Sequence, residues 1–333
     1  PHLLVASPSA ARAPLQRALD LVARRYPDEP VTRVRMPQRS DGTYELWLGA
    51  APSRYVYVDP GSGAVLGERR PSEFLTGWLF LLHSHLLAGE TGHVVAGIVA
   101  LALVALSISG LVTWWPRRAP WQAWRLWRQS ITVARGTGTK RATYDLHRAA
   151  GFWASALLLL AGVTGASLVF HEAFQRMAYL VTASSPEPRP AYAQPLPAPA
   201  LTVDSLVAIA RRVQPNGVVS YLYLPTAPVG TFRLRQRLAG ETHPNGKSFV
   251  HLDPGTGRVL DLEDGARAPR GARLFSMLYP LHIGIVGGTA TRVLALLVGL
   301  TLPVLAVTGA LVWWRRGRRA PGAQPRAAAV TRA

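Results

Sequence analysis

The sequence predicts an α-helical integral membrane protein with two α+β extracytoplasmic modules, built by internal duplication. Three observations predict it: three long uncharged apolar runs, arginine-rich flanks on one end of two of them, and a repeat covering apolar and polar segments alike. Of the 333 residues, 49% are of the hydrophobic class and 17% are charged. That balance argues against the pair of soluble domains suggested by length alone. The 37 basic side chains outnumber the 18 acidic ones for a net +19, and Lys140 and Lys247 are the only lysines, so the excess is arginine. Cysteine is absent, which excludes disulfides, iron–sulfur clusters, thiolate metal sites and c-type haem attachment. Any metal or haem must be held by His, carboxylate, Met or Tyr.

Residues 1–73 form the first module. Positions 15–25 carry apolar residues at helical spacing, Tyr44–Leu48 and Tyr55–Val58 alternate as half-buried strands, and Asp59-Pro60-Gly61-Ser62-Gly63 supplies a turn. Residues 74–115 contain a Leu82-His83 segment and a span from Val94 to Trp115. A basic loop, 116–146, follows, in which Trp121, Trp124 and Trp127 among arginines suggest a short amphipathic helix lying on the membrane's inner face. The middle span occupies 147–171, with its uncharged part from Gly151 to Phe170, and a Pro-rich linker covers 172–199. The second module runs over 200–275, where Asp204 is expected to cap its helix. Residues 276–314 repeat the Leu-His segment and carry the last span, Val293 to Trp314; 315–333 are a basic tail.

Each run is long enough to cross a bilayer, which takes roughly 20 residues. Ser109-Gly110, Thr164-Gly165 and Thr308-Gly309 are the small residues that let membrane helices pack closely. Trp114-Trp115-Pro116-Arg117-Arg118 ends the first span and Trp313-Trp314-Arg315-Arg316 the last. Lys/Arg excess marks cytoplasmic flanks, so the C-terminus is expected in the cytoplasm and both modules outside a bacterial inner membrane crossed several times. Much of the charge then flanks lipid, and no nucleic-acid partner is expected.

The repeat is direct. His83 to Trp114 is 31 residues, as is His282 to Trp313; Gly110 aligns with Gly309, and Val58-Asp59-Pro60-Gly61 with Leu252-Asp253-Pro254-Gly255. The second copy has span, module, span, whereas the first lacks a leading span, so the chain is expected to lack a segment before Pro1.

These features resemble the PepSY-associated transmembrane proteins: the helix-plus-strand modules with Asp-Pro-x-x-Gly turns, the Leu-His segment before a span ending Thr-Gly-x-x-x-Trp-Trp-Arg-Arg, and Leu146-His147-Arg148-Ala149-Ala150-Gly151 opening a span that closes on His171-Glu172. The resemblance covers nearly the whole chain, apart from a first span usual in that family. It implies PepSY-like modules and, from members that are siderophore-iron reductases, electron transfer through His-ligated haem.

Low-spin haem b takes an imidazole on each axial face. His147 and His171 bracket the middle span 24 residues apart, about 36 Å of helix, while His83 and His282 hold equivalent repeat positions. The expected ligands are His83, His171 and His282 for an outer haem and His147 for an inner one. His85 is a weaker outer candidate, His93 reads as an interfacial polar residue, and His2, His243 and His251 as surface residues of the modules. Gly136-Thr137-Gly138 lacks the strand–helix context of a dinucleotide site, so neither flavin nor nicotinamide is expected in the chain. The expected partners are therefore the lipid bilayer, a cytoplasmic electron donor or quinol, and a ferric chelate outside. The expected activity is haem-dependent ferric-siderophore reduction. The alternative is a non-catalytic membrane protein whose modules bind and regulate a partner such as a peptidase. A transporter is disfavoured because the spans carry no embedded charge.

Overall fold

The computed structural model describes residues 12–50, 53–115, 127–128, 130–187, 201–225 and 230–317. Trp121 and Trp124 of the expected amphipathic helix, residues 188–199 of the Pro-rich linker, His2 and the basic tail beyond 317 lie outside the described residues. The chain divides into two compact units, Pro1–Ile98 with Ala166–Leu281, and Val99–Gly165 with His282–Ala333.

The first unit is built on a sheet. Helix α1 (Leu15–Arg25) buries Leu15, Ala18, Leu19 and Val22, one stripe at helical spacing. Strands β1 (Val31–Arg35), β2 (Tyr44–Leu48), β3 (Arg54–Val58) and β4 (Val65–Arg69) follow, and β2 shows strict alternation of burial. In the second half come α6 (Val203–Val213) and strands β5 (Val218–Tyr223), β6 (Phe232–Arg237), β7 (Ser248–Leu252) and β8 (Val259–Glu263).

The two expected modules are joined edge to edge. All eight strands form one sheet in the order β4-β3-β2-β1-β5-β6-β7-β8. The seam is the antiparallel pair β1–β5, with Arg33 opposite Tyr223, Val34 opposite Leu222 and Arg35 opposite Tyr221. Val34, Leu46, Val56, Leu222, Leu234 and Val250 share a single core with Leu15, Val22, Leu206 and Ala210 of the two helices. The other face carries Trp47, Tyr55, Tyr221, Tyr223 and arginines. There the Arg33 guanidinium lies 4.5 Å from the Trp47 ring and 4.9 Å from that of Tyr223.

Asp204 does not cap its own helix. Thr202 does, accepting from the Ser205 N–H, while the Asp204 carboxylate accepts from the Leu15 and Gln16 N–H groups of α1, both at 2.9 Å. Gln16 Oε1 in turn accepts from the Val203 N–H at 2.9 Å. The side-by-side helices bring their N-termini together, so each satisfies a donor that its own turn leaves orphaned.

Helices α2 (Leu75–His85), α5 (His171–Val181) and α7 (Arg270–His282) lie between the strands and the long apolar helices along the chain. Helix α5 corrects the expected linker 172–199, whose first residues are helical. Among the described residues, three helices are long and apolar enough to cross a membrane: α3 (Gly89–Trp114), α4 (Thr139–Val169) and α8 (Gly288–Gly317). Helix α8 contains the span expected there, and α3 ends one residue short of Trp115. Helix α4 ends at Val169, so that His171 falls on α5 rather than closing the middle span. Each begins with polar turns before its apolar run. In the second unit Ala154 and Leu158 of α4 pack on Val298 of α8, with Leu103, Leu157 and Leu305 around them. Leu106 and Leu296 instead point outward, 67% and 63% exposed, as lipid-facing side chains do.

Candidate functional site

The second unit holds two copies of one arrangement. His147, on the third turn of α4, lies with Nδ1 3.0 Å from Thr308 Oγ1 on α8. His282, the last residue of α7, lies with Nδ1 3.0 Å from Thr164 Oγ1 on α4. Helix α4 thus contributes a histidine near one end and a threonine near the other, and their partners come from α8 and the end of α7.

The hydroxyls decide the tautomers. A threonine has one proton to donate, and in an apolar helix it goes to the carbonyl a turn back. Thr308 donates to the Val304 carbonyl at 2.6 Å and Thr164 to the Leu160 carbonyl at 2.7 Å. The imidazoles must therefore be the donors through Nδ1–H, which puts the lone pair on Nε2, the form of histidine that ligates a metal. Glycine seats both rings. A Cβ on Gly309 would fall 3.0 Å from His147 Cε1, and one on Gly165 would fall 3.2 Å from His282 Cε1.

Both rings are half-buried, whereas His83 and His171 are exposed. His171 opens α5 and meets Phe275 edge-on at 5.4 Å. His147 and Thr164 are 17 residues apart on α4, so the two arrangements lie about 25 Å apart along the helix. Beside His147, Asp145 is 1% exposed and accepts from Arg141 Nε at 3.0 Å, with Arg148 at 3.8 Å. A cleft nearby is lined by Lys140, Arg141, Tyr144 and Arg315.

One pair that sequence spacing ranked low is brought together in the first unit. The His85 and His93 rings stack 4.7 Å apart. The turn joining α2 to α3 is tight, with Leu86 and Leu87 at positive φ, and a Cβ on Gly92 would fall 1.7 Å from the His85 carbonyl oxygen. His93 Nδ1–H donates to the Ser84 carbonyl at 2.9 Å. His85 Nδ1 donates to Ser84 Oγ at 2.7 Å, since that hydroxyl gives its proton to Phe80 O. Both carry the Nε2 lone pair. The signal available in the sequence was two histidines flanking a Leu-Leu-Ala-Gly turn.

His243 and His251, expected on the surface, are each only 7% exposed. The sheet and its loops fold over them. His243 stacks on Tyr279 at 5.1 Å and accepts the Asn245 N–H through Nδ1. Burial, then the positive charges of Arg235 and Lys247, push its pKa down to about 3. Unfolding restores a value near 6.5, so between those values the unfolded chain binds the extra proton and stability rises with pH. The thermal midpoint of the sheet is expected to fall as pH drops from 6.5 toward about 3. His243→Gln should flatten the upper part of that slope, above the carboxylate range, in melts followed by circular dichroism.

The PepSY-associated TM region family matches residues 1–316. An uncharacterized protein of Pseudomonas aeruginosa is 28% identical over 272 residues, which are 74% of this chain and 65% of that protein. The chain thus spans about two thirds of the length of the curated relative it matches. Among solved structures, one from Clostridium difficile 630, described as a lipoprotein, aligns at 10% identity over 77% of this chain and 95% of its own, with a TM-score of 0.30. A score so low bears on neither fold nor function.

Proposed function

Because the chain belongs to the PepSY-associated transmembrane family, a membrane-protein family, we propose that it is a b-type haem protein of the bacterial inner membrane. Its proposed activity is to pass electrons outward to Fe(III) in a siderophore or similar chelate. The observation that carries this reading is the paired seat of His147 and His282. Each imidazole is held by a threonine on the neighbouring helix in the tautomer that ligates iron. The residues fit the group: neutral nitrogen donors, glycine clearance beside each ring, and no cysteine needed.

Haem b, when bound, supplies a one-electron iron couple. The chain's own residues fix the rest. Thr308 and Thr164 hold the imidazole planes, and the apolar faces of α4 and α8 keep water from the iron's surroundings. His83 and His171 are the further outer ligands proposed, from the repeat position that His83 shares with His282 and from the place of His171 at the outer end of the middle span. Arginine-rich flanks put the His147 end inside, where Lys140, Arg141 and Arg315 suit an acidic donor protein, with quinol as the other electron source. The sheet then lies outside, and Arg33, Arg35, Arg233 and Arg235 among Trp47, Tyr221 and Tyr223 suit an anionic aromatic chelate. The same face favours the second reading, a docking surface for a partner protein such as a peptidase. We read the matched halves as an internal duplication.

The test is a reduced-minus-oxidised absorbance spectrum of the purified protein. Sharp b-type bands, re-oxidised by a ferric chelate and lost in His147→Ala/His282→Ala, are the expected result. A flat spectrum from folded protein, or full haem content in the double variant, overturns the proposal and leaves the docking reading.

A further inference from the structure

We propose that His251, Asp261 and Glu263 form a binding site for a divalent cation of the zinc class, separate from the membrane histidines. His251 stands on β7 and the two carboxylates on the edge strand β8. The register sets His251 directly opposite Asp261, with Glu263 opposite Phe249 two residues along. Because side chains alternate across a strand, all three project from the same face.

One donor atom from each of the three lies within 4.8 Å of the others. His251 Nε2 and Glu263 Oε1 are 2.9 Å apart. Ligands of a four-coordinate zinc lie about 2.0–2.2 Å from the metal, so small rotations of two half-exposed carboxylates close the set. His251 itself is buried and held beside Phe249, with ring centroids at 6.1 Å. The pairing slips between His251 and Leu252, an irregularity of the kind that re-aims a side chain next to a site.

Two features favour a cation over a structural His–Glu strut. A strut needs one carboxylate; here a second converges on the same imidazole, giving two negative charges. The chemistry is one nitrogen and two oxygens, which suits zinc and neighbouring first-row ions better than magnesium or calcium, which take oxygen sets. The opposing charges on β6 are Arg233, across from His251 with its guanidinium drawn over the Tyr223 ring at 4.8 Å, and Arg235, across from Phe249 and donating to the Gly246 carbonyl. A metal is held by deprotonated ligands, so affinity should weaken in acid. With three protein donors, a fourth position stays available for water or an external ligand.

The experiment uses the whole chain purified in detergent, stripped of metal, and titrated calorimetrically with Zn²⁺ beside the variants Asp261→Asn and Glu263→Gln. Both carboxylates sit on an edge strand outside the shared core, so the fold should tolerate the changes. The native chain should take up one equivalent more tightly than either variant by at least about tenfold, and Zn²⁺ should raise its thermal midpoint but not theirs. Co²⁺ added to the native chain offers a reading independent of any variant: visible d–d bands of a site with nitrogen ligation support the proposal. Identical isotherms in the three chains, or no Co²⁺ bands beyond those of an Asp261→Asn/Glu263→Gln chain, overturn it. The haem reading is untouched by either result, because none of these residues belongs to the spans.

Discussion

Thr308→Val and Thr164→Val are each expected to weaken haem binding by about 10- to 100-fold, the usual cost of losing the group that orients a metal-ligating histidine. Valine keeps the shape and the apolar packing of threonine but cannot accept the Nδ1–H. The imidazole is then left with a buried unsatisfied donor, or turns to the tautomer protonated at Nε2, which cannot ligate. Haem titration of the apoprotein measures the loss, and a shifted pH dependence of binding separates it from simple unfolding. Thr→Ser at either position restores the acceptor and should recover most of the affinity. Equal affinity in native and valine chains would show that the hydroxyls do not set the tautomer.

Leu222→Ala should cost about 2–5 kcal/mol, the range for truncating a fully buried leucine. Leu222 is on β5 at the seam, opposite Val34 of β1, and both are fully buried. The cavity therefore opens in the core that both halves share. The expected melt is a single transition at lower temperature, because one hydrophobic layer runs under strands of both halves, β1 to β3 and β5 to β7. Two transitions, only one of them moved, would mean that the halves fold as independent modules.

The elements were legible where one physical signal dominates. Alternation in Tyr44-Glu45-Leu46-Trp47-Leu48 marks β2, and the uncharged runs mark α3, α4 and α8 with little ambiguity. The seam was not legible. No strand was read at Val31–Arg35, where Arg33 and Arg35 are both charged, and only the partner residues Tyr223 and Tyr221 explain how those arginines are accommodated at the middle of a sheet. Asp204 shows the same limit: its position suited a cap, and the helix it caps begins 189 residues earlier. At the site, His147 and His282 stood out by spacing, while Thr164 and Thr308 were read only as small residues that let helices pack. Their second role depends on which helix faces which, and no spacing along one chain contains that. His243 and His251 were misread because burial of a loop or edge-strand histidine depends on neighbours distant in sequence.

The exchanged caps of α1 and α6 bear on how the chain is made. Until Asp204 and Val203 emerge, α1 lacks its acceptor and β1 has no strand on its seam side. At ribosomal speeds of about 5–20 residues per second, the intervening stretch of about 190 residues takes on the order of 10–40 s. For that interval the nascent first half presents an open strand edge, the feature most prone to pair with the wrong neighbour. Its completion is timed by synthesis of the second half, so a holding chaperone would have a defined window and a defined edge to guard.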